Sequence, residues 1–404
     1  MVVAFLGACH RSQEPVPRGS TQEPVPMETR ASASNAPLPT SQEPVPGRPP
    51  PPPSQEPFPL RLARVALPAI LGFTNAAAWP TQSITSDQRV LLSPTLESEL
   101  PWNELVVSWN VQPADGTGLR LEASVSTPTR EPTRFYGLGD WSLDDTAGLP
   151  RTSRKGERDE YGEVQTDTLV LKQPHHRLQL RLTLHGELAR HPERLTLVTL
   201  SLADTRTRPE SRPARPEAWN RTLDVPERSQ VAYADGKAWC SPTSISMILG
   251  WWAQSLPRPD LNRDVPEVAR GVFDPSWPGT GNWPFNTAYA GSFAGMTACA
   301  ARLRDLRAVE DLVLAGIPVV LSVNAPALRG KPLARDGGHL ILCVGFTSEG
   351  DVVANDPWAR LEEGQRVRRV YARANVERAW DHAHRLAYLI APTPLRAALP
   401  VDWR

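Results

Sequence analysis

Apolar and polar positions alternate through the first half of the folded chain, from about residue 85 to 205. Leu119, Leu121, Ala123 and Val125 alternate with Arg120, Glu122 and Ser124, and Leu178, Leu180, Leu182 and Leu184 with Gln179, Arg181 and Thr183. A period of two puts one set on each face of a strand. Leu195 and Leu197, then Leu200 and Leu202, repeat the pattern across a one-residue slip at Val198, which predicts a β-bulge there. Residues 105–111 and 168–171 add further strands. Strands with one wet face, separated by Pro, Gly and Asp turns, predict an all-β antiparallel sandwich over residues 85–205. Within it, Tyr136-Gly-Leu-Gly-Asp-Trp141 reads as a turn with a packed aromatic, with a binding loop as the rival. His175 and His176 are adjacent and point to opposite faces of a strand, so no metal site is expected from them.

Beyond a linker at 206–221, rich at first in Arg, Pro and Glu, the period changes. Ile245, Ile248, Leu249 and Trp252 recur at i, i+3, i+4 and i+7, one apolar face of a helix. Ser241 is the expected N-cap and Pro242 the first helical residue, which puts Cys240 at the helix N-terminus. The helix dipole and unpaired N–H groups there favour a thiolate; the rival is a buried core thiol. Residues 298–314 read as helix and 317–323 as a strand. A hairpin follows, with Gly337-Gly-His339 opening one strand, a turn at 348–351, and Asn355-Asp-Pro357 closing the next. Antiparallel pairing brings His339 and Asp356 to the same end of the sheet, and two glycines leave room around the histidine. A thiol at a helix N-terminus, a histidine base and a carboxylate to orient it form a nucleophile set. Gln230, ten residues before the cysteine, is a candidate second oxyanion donor beside the Cys240 N–H. Trp283 and Trp358 are expected in loops that line the cleft.

The chain has 404 residues and no formal net charge, enough for two or three domains and without a nucleic-acid footprint. Its 43 prolines are unevenly placed, 15 of them in the first 59 residues, where Ser/Thr-Gln-Glu-Pro-Val/Phe-Pro occurs four times and a run of five prolines follows the third copy. Residues 10–84 therefore read as a proline-rich stalk and linker, polyproline II over the repeats, with the more apolar 61–79 as the entry to the first folded domain and a candidate edge strand. Ahead of it, residues 1–9 end in Leu6-Gly7-Ala8-Cys9, similar to a lipobox, so Cys9 is the candidate lipidation site. These features imply export to a bacterial cell envelope, with membrane contact only through that anchor. The four cysteines are too few for a disulfide scaffold, and Cys299 and Cys343 are expected as buried free thiols.

The Gln…Cys-Ser-Pro-Thr-Ser, Gly-Gly-His and Asn-Asp-Pro segments resemble papain-fold cysteine peptidases akin to the bacteriocin-processing (double-glycine leader) peptidases, in their stand-alone secreted branch. The resemblance runs from about 222 to 395. Residues 370–371 and 386–392 look like the family's closing strands. It implies an α+β papain-like peptidase domain over 222–398, with Cys240, His339 and Asp356 as triad and Gln230 as oxyanion glutamine. Ser241 stands where the family more often has glycine, and no transporter domain accompanies the motifs, so export-coupled leader processing is not implied. The expectation is a multidomain, cofactor-free cysteine peptidase that hydrolyses peptide or amide bonds of a protein substrate. The alternatives are an acyltransferase using the same triad, and a non-catalytic envelope protein whose sandwich binds a wall or surface ligand.

Overall fold

The alternating segments become long strands that change partners along their length. The computed structural model describes residues 60–62, 67–126, 131–143 and 148–404; Cys9, the hexapeptide copies and the proline run lie outside the described residues. Leu96–Val111 spans 16 residues and Thr168–Gly186 spans 19. The first half of Thr168–Gly186 pairs with Leu96–Val111, Leu105 opposite Leu169. Its second half pairs with Thr117–Ser126, Leu121 opposite Leu182. The outcome is one continuous sheet instead of the two separate sheets of the expected sandwich, because the long strands change partners along their length. Its inner face gathers Leu119, Leu121, Leu180, Leu182, Leu184, Trp109 and Trp141 into one core.

The sheet begins earlier than the alternation suggested. Ala69–Phe73, within the apolar stretch read as the entry to the first folded domain, is a buried strand antiparallel to Leu195–Ala203. Asp402–Trp403 returns to pair with it in parallel. The bulge falls between Leu195 and Leu197 rather than at Val198. Val198, Leu200 and Leu202 thereby rejoin Leu195 in the core, and Thr199 and Ser201 take the other face. The Tyr136–Ser142 segment is a strand, not a turn.

The second half forms its own antiparallel sheet, in the order Met296–Arg302, Leu386–Pro392, Val319–Asn324, Gly338–Phe346, Val352–Asn355 and Arg368–Tyr371. Residues 298–314, read as one helix, divide into the edge strand Met296–Arg302 and the helix Leu306–Leu314. The run of small residues Ala298-Cys-Ala-Ala301 suits a helix equally well; here it lets the first sheet approach closely. An exposed edge strand is a template for unwanted pairing, and this edge is closed by side chains. Ala298 N donates to Asn110 Oδ1 (3.0 Å), Ala300 N to Ser108 Oγ (2.9 Å) and Arg302 N to Ser201 Oγ (2.9 Å). Asn110 Nδ2 returns a bond to Ala298 O at 2.8 Å. The Arg302 guanidinium pairs with Glu104, both buried. Burial opposes the Glu104 charge, but Arg302 and His384 hold its carboxyl down to about 2.

The helix Trp283–Gly291 lies between the two halves, with Phe285 and Ala288 in the first core and Trp283 and Ala290 in the second. The 206–221 segment is stapled to the second half: Arg212 pairs with Asp305 at 2.8 Å, and Arg215 N donates to buried Glu310 at 2.7 Å. Cys299 and Cys343 are free and buried, and burial pushes each thiol up to about 12. No described helix is long and apolar enough to cross a membrane.

Candidate active site

Cys240 is the first residue of the helix Cys240–Ser255 and is 1% exposed. Trp239 takes the N-cap position without a side-chain cap. The expected cap, Ser241, lies inside the helix because its hydroxyl is engaged 3.0 Å from Tyr388 Oη. Pro242 is therefore the third helical residue and not the first, still within the turn whose N–H groups lack helical acceptors. The helix is buried on nearly every side, serines included, so it is a central helix rather than a one-faced one.

His339 is the second residue of Gly338–Phe346, and Asp356 follows directly on Val352–Asn355. Pairing of Leu342 with Asn355 brings the two to the same end of the hairpin. His339 Nε2 donates to Asp356 Oδ1 at 2.7 Å. The Cys240 side chain favours the charge on the imidazole; with Nε2 occupied by Asp356, Nδ1 is the nitrogen left to serve a sulfur. Burial alone would lower the His339 pKa, but the Asp356 charge and hydrogen bond, with Cys240 adding to them, raise it well above 6.5, to about 10. Burial likewise opposes the Asp356 charge; His339 and two further donors overcome it and hold the carboxyl well below the usual range.

Those further donors were not legible beforehand. Tyr371 Oη donates to Asp356 Oδ2 at 2.5 Å, and Trp358 N to Oδ1 at 2.9 Å. Arg369 stands 3.6 Å from Oδ2. A fully buried carboxylate with three hydrogen-bond donors is fixed in place. The one sequence signal for Tyr371 was its position in a closing strand; Val352 pairs with it directly.

Gln230 is fully buried in a short turn, Gln230–Ala232. Its backbone N–H donates to Pro357 O at 3.0 Å, tying it to the loop that carries Asp356. Its side-chain amide donates to Gly236 O (2.8 Å) and Lys237 O (3.0 Å), just before Cys240. Both amide hydrogens are thus engaged by the backbone. Trp358 is half-buried beside Asp356. Trp283 departs from expectation: it opens a helix instead of lying in a loop, and its buried ring sits under the Arg302 guanidinium, 5.5 Å from centroid to Cζ. Asn282 caps that helix, and Pro284 suits its first turn, which is why the segment is helical. Gly337 is required by Asn324, whose Nδ2 would lie 2.7 Å from an added Cβ, rather than by space around the histidine.

A thiol, an imidazole and a buried carboxylate joined in this order can exchange a proton between sulfur and nitrogen and keep the resulting imidazolium charged. Residues 222–388 match the Peptidase_C39 like family, and residues 74–202 match the Peptidase C39 N-terminal domain. Among solved structures, a protein from Bacillus anthracis described as a C39-like peptidase is 17% identical, over 43% of this chain and 98% of that one, with a TM-score of 0.33. No curated protein is significantly similar to the chain. Residues 222–388 are thus a C39-like, papain-fold cysteine peptidase region, preceded at 74–202 by the N-terminal domain of that group.

Proposed function

We propose that Cys240 is the nucleophile, His339 the general base and acid, and Asp356 the group that orients and charges the imidazole. The observation that carries this reading is the His339 imidazole, held by buried Asp356 through Nε2 at 2.7 Å with Nδ1 left to serve Cys240 at the start of its helix. The thiolate adds to a peptide or amide carbonyl, and the tetrahedral oxyanion is met by the Cys240 N–H at the helix N-terminus. His339 passes its proton to the leaving amine, which departs and leaves an acyl-thioester. Water then gives a proton to His339 and its oxygen to the acyl carbon, releasing the acid and restoring the thiol. Gln230 supports this centre by holding the turn before Cys240; direct donation to the oxyanion requires it to exchange one of its two backbone bonds.

The reading extends to location. The lipobox-like Cys9 and the proline-rich repeats support an exported, envelope-anchored peptidase with protein or peptide substrates, and the N-terminal domain is available for a wall or surface ligand. The chemistry is tested by labelling the purified full chain with an epoxysuccinyl probe, beside Cys240→Ala and His339→Ala, followed by mass-spectrometric screening of peptide-library cleavage. Fast labelling lost in both variants, with cleavage lost in parallel, is expected. Slow labelling that ignores His339→Ala would refute the assignment. Adding a primary amine to the cleavage reaction reads out acyl transfer by the same intermediate.

A further inference from the structure

The turn that presents Cys240 is held at three successive carbonyls. Gln230 holds Gly236 and Lys237, and Thr280 Oγ1 donates to Ala238 O at 2.9 Å. Thr280 is fixed in turn. Asn286 Nδ2 donates to both Thr280 O and Asn282 O, each at 2.7 Å. Asn282 caps the Trp283–Gly291 helix with Oδ1, 3.0 Å from Phe285 N, and directs Nδ2 to Asp167 Oδ2 at 2.7 Å. Asp167 belongs to the N-terminal domain and is fully buried. Its other oxygen accepts from Arg154 N at 2.6 Å.

The N-terminal domain is shaped to aim that carboxyl. Thr166 and Asp167 are successive left-handed residues, at φ 46° and 61°, a conformation uncommon outside glycine and kept only where surroundings demand it. Gly139, at φ 120°, leaves the space: an added Cβ would lie 3.2 Å from the Asp167 carboxyl carbon. This accounts for a glycine in Tyr136-Gly-Leu-Gly-Asp-Trp141 that neither domain's core explains.

We infer that Thr280 is a positioning residue for Cys240, and that the N-terminal domain sets the reactivity of that thiol across the domain boundary through Asp167, Asn282 and Asn286. This rests on the assignment of Cys240 as nucleophile. The Thr280 hydroxyl fixes the Ala238–Trp239 peptide, one peptide before the one that carries the Cys240 N–H, and so constrains the direction of that N–H and of Sγ relative to His339. Misplacement of reacting groups by even an ångström is costly in rate.

The test is the second-order rate of iodoacetamide alkylation at Cys240 in the full chain, read by mass spectrometry, with thermal unfolding followed in parallel. Thr280→Val keeps the shape and removes the hydroxyl; it is expected to slow alkylation about tenfold, with Thr280→Ser restoring it. Asp167→Asn is expected to slow it about threefold in the same way. Ser201→Ala removes a bond between the same two domains, but Ser201 makes no hydrogen bond within the Asp167–Asn282–Asn286–Thr280 chain, and the variant is expected to leave the rate unchanged. Wild-type rates in both Thr280→Val and Asp167→Asn overturn the inference. An effect in Thr280→Val alone overturns the coupling to the N-terminal domain, and an equal loss in Ser201→Ala reduces the network to general interface stability and overturns it too. If Thr280→Val does not fold, Asp167→Asn against Ser201→Ala decides. Failure of the nucleophile assignment is distinct: the unmodified chain then alkylates like an ordinary thiol and ignores His339→Ala, which removes both claims.

Discussion

Replacing Asp356 with asparagine isolates the charge at the centre of the site. The variant keeps the side chain's size and one oxygen acceptor but loses the anion. In the native chain burial pulls the His339 pKa down and Asp356 overrides it, to about 10. Without the anion only burial acts strongly, so the imidazole falls below its ordinary 6.5. Between roughly pH 6.5 and pH 10 the native chain therefore carries an imidazolium and the variant a neutral ring. The sulfur loses its counter-charge over the same range. An unassisted thiol is only about 0.3% thiolate at pH 6. A thiolate that is already paired is intrinsically less nucleophilic by a factor of tens, which offsets part of that difference. The net expectation is alkylation slower by about tenfold at pH 6, with the gap between the two proteins narrowing as the native imidazolium itself is lost toward about pH 10. Iodoacetamide kinetics from pH 5 to pH 9, with Cys240 identified by mass spectrometry, give both numbers. Equal rates and equal profiles in the two proteins would show that the carboxylate does not maintain the imidazolium. Stability gives a second reading. The raised His339 pKa contributes stability that is full below 6.5 and lost as pH rises through about 10. The depressed Asp356 contributes above its ordinary 3.8 and is lost in acid. Breaking a buried pair of this kind costs about 3–5 kcal/mol, read by urea unfolding at pH 6.

Other perturbations separate the site from its scaffold. Tyr371→Phe removes the 2.5 Å donor to Asp356 Oδ2; urea unfolding is expected to show a loss of about 1–3 kcal/mol. Glu104→Ala leaves Arg302 buried without its anion, at a cost of about 3–5 kcal/mol by the same method. Because the Glu104 pKa is lowered from 4.5 to about 2, its contribution is present above 4.5 and lost as pH falls through 2, so native and variant stabilities should converge in acid. Gly291→Ala drives a methyl to within 2.2 Å of the Asn110 amide that holds Ala298; thermal unfolding should fall by the equivalent of about 1–3 kcal/mol.

The site was legible where its geometry is local. Cys240 sits against a helix start, and His339 and Asp356 sit on one hairpin whose short turn dictates the register, Phe346 opposite Val352. What reaches the site from elsewhere was not. Tyr371 arrives on a third strand, and Thr280 arrives through a loop that carries no motif. Trp283 was misplaced although Asn282 and Pro284 are ordinary helix-start residues, because the surrounding glycines suggested a loop. Met296–Arg302 was misread because alanine-rich runs favour helices unless a second surface selects the extended form.

The junction between the domains was invisible for a related reason, and its residues suggest how to see such junctions. Alternation marks one face of a strand as polar, and a polar face is taken to be wet. The polar positions nevertheless differ in kind. On Thr117–Ser126 and its neighbour the outward residues include Arg120, Glu122 and Arg181, which reach solvent and pair there, Arg181 with Glu122 at 2.5 Å. On Leu96–Val111 and Leu195–Ala203 they include Ser108, Asn110, Thr199 and Ser201, short, uncharged and at most 1% exposed, beside buried Glu104, whose charge is met by Arg302 instead of water. Long charged side chains need water around their ends, whereas a short hydroxyl or amide can satisfy a neighbouring backbone group without a layer of solvent between. Three of these four residues hold the edge of the peptidase sheet. A polar face made mostly of buried Ser, Thr and Asn is therefore a face prepared for another backbone, and here that backbone is the edge strand of the peptidase.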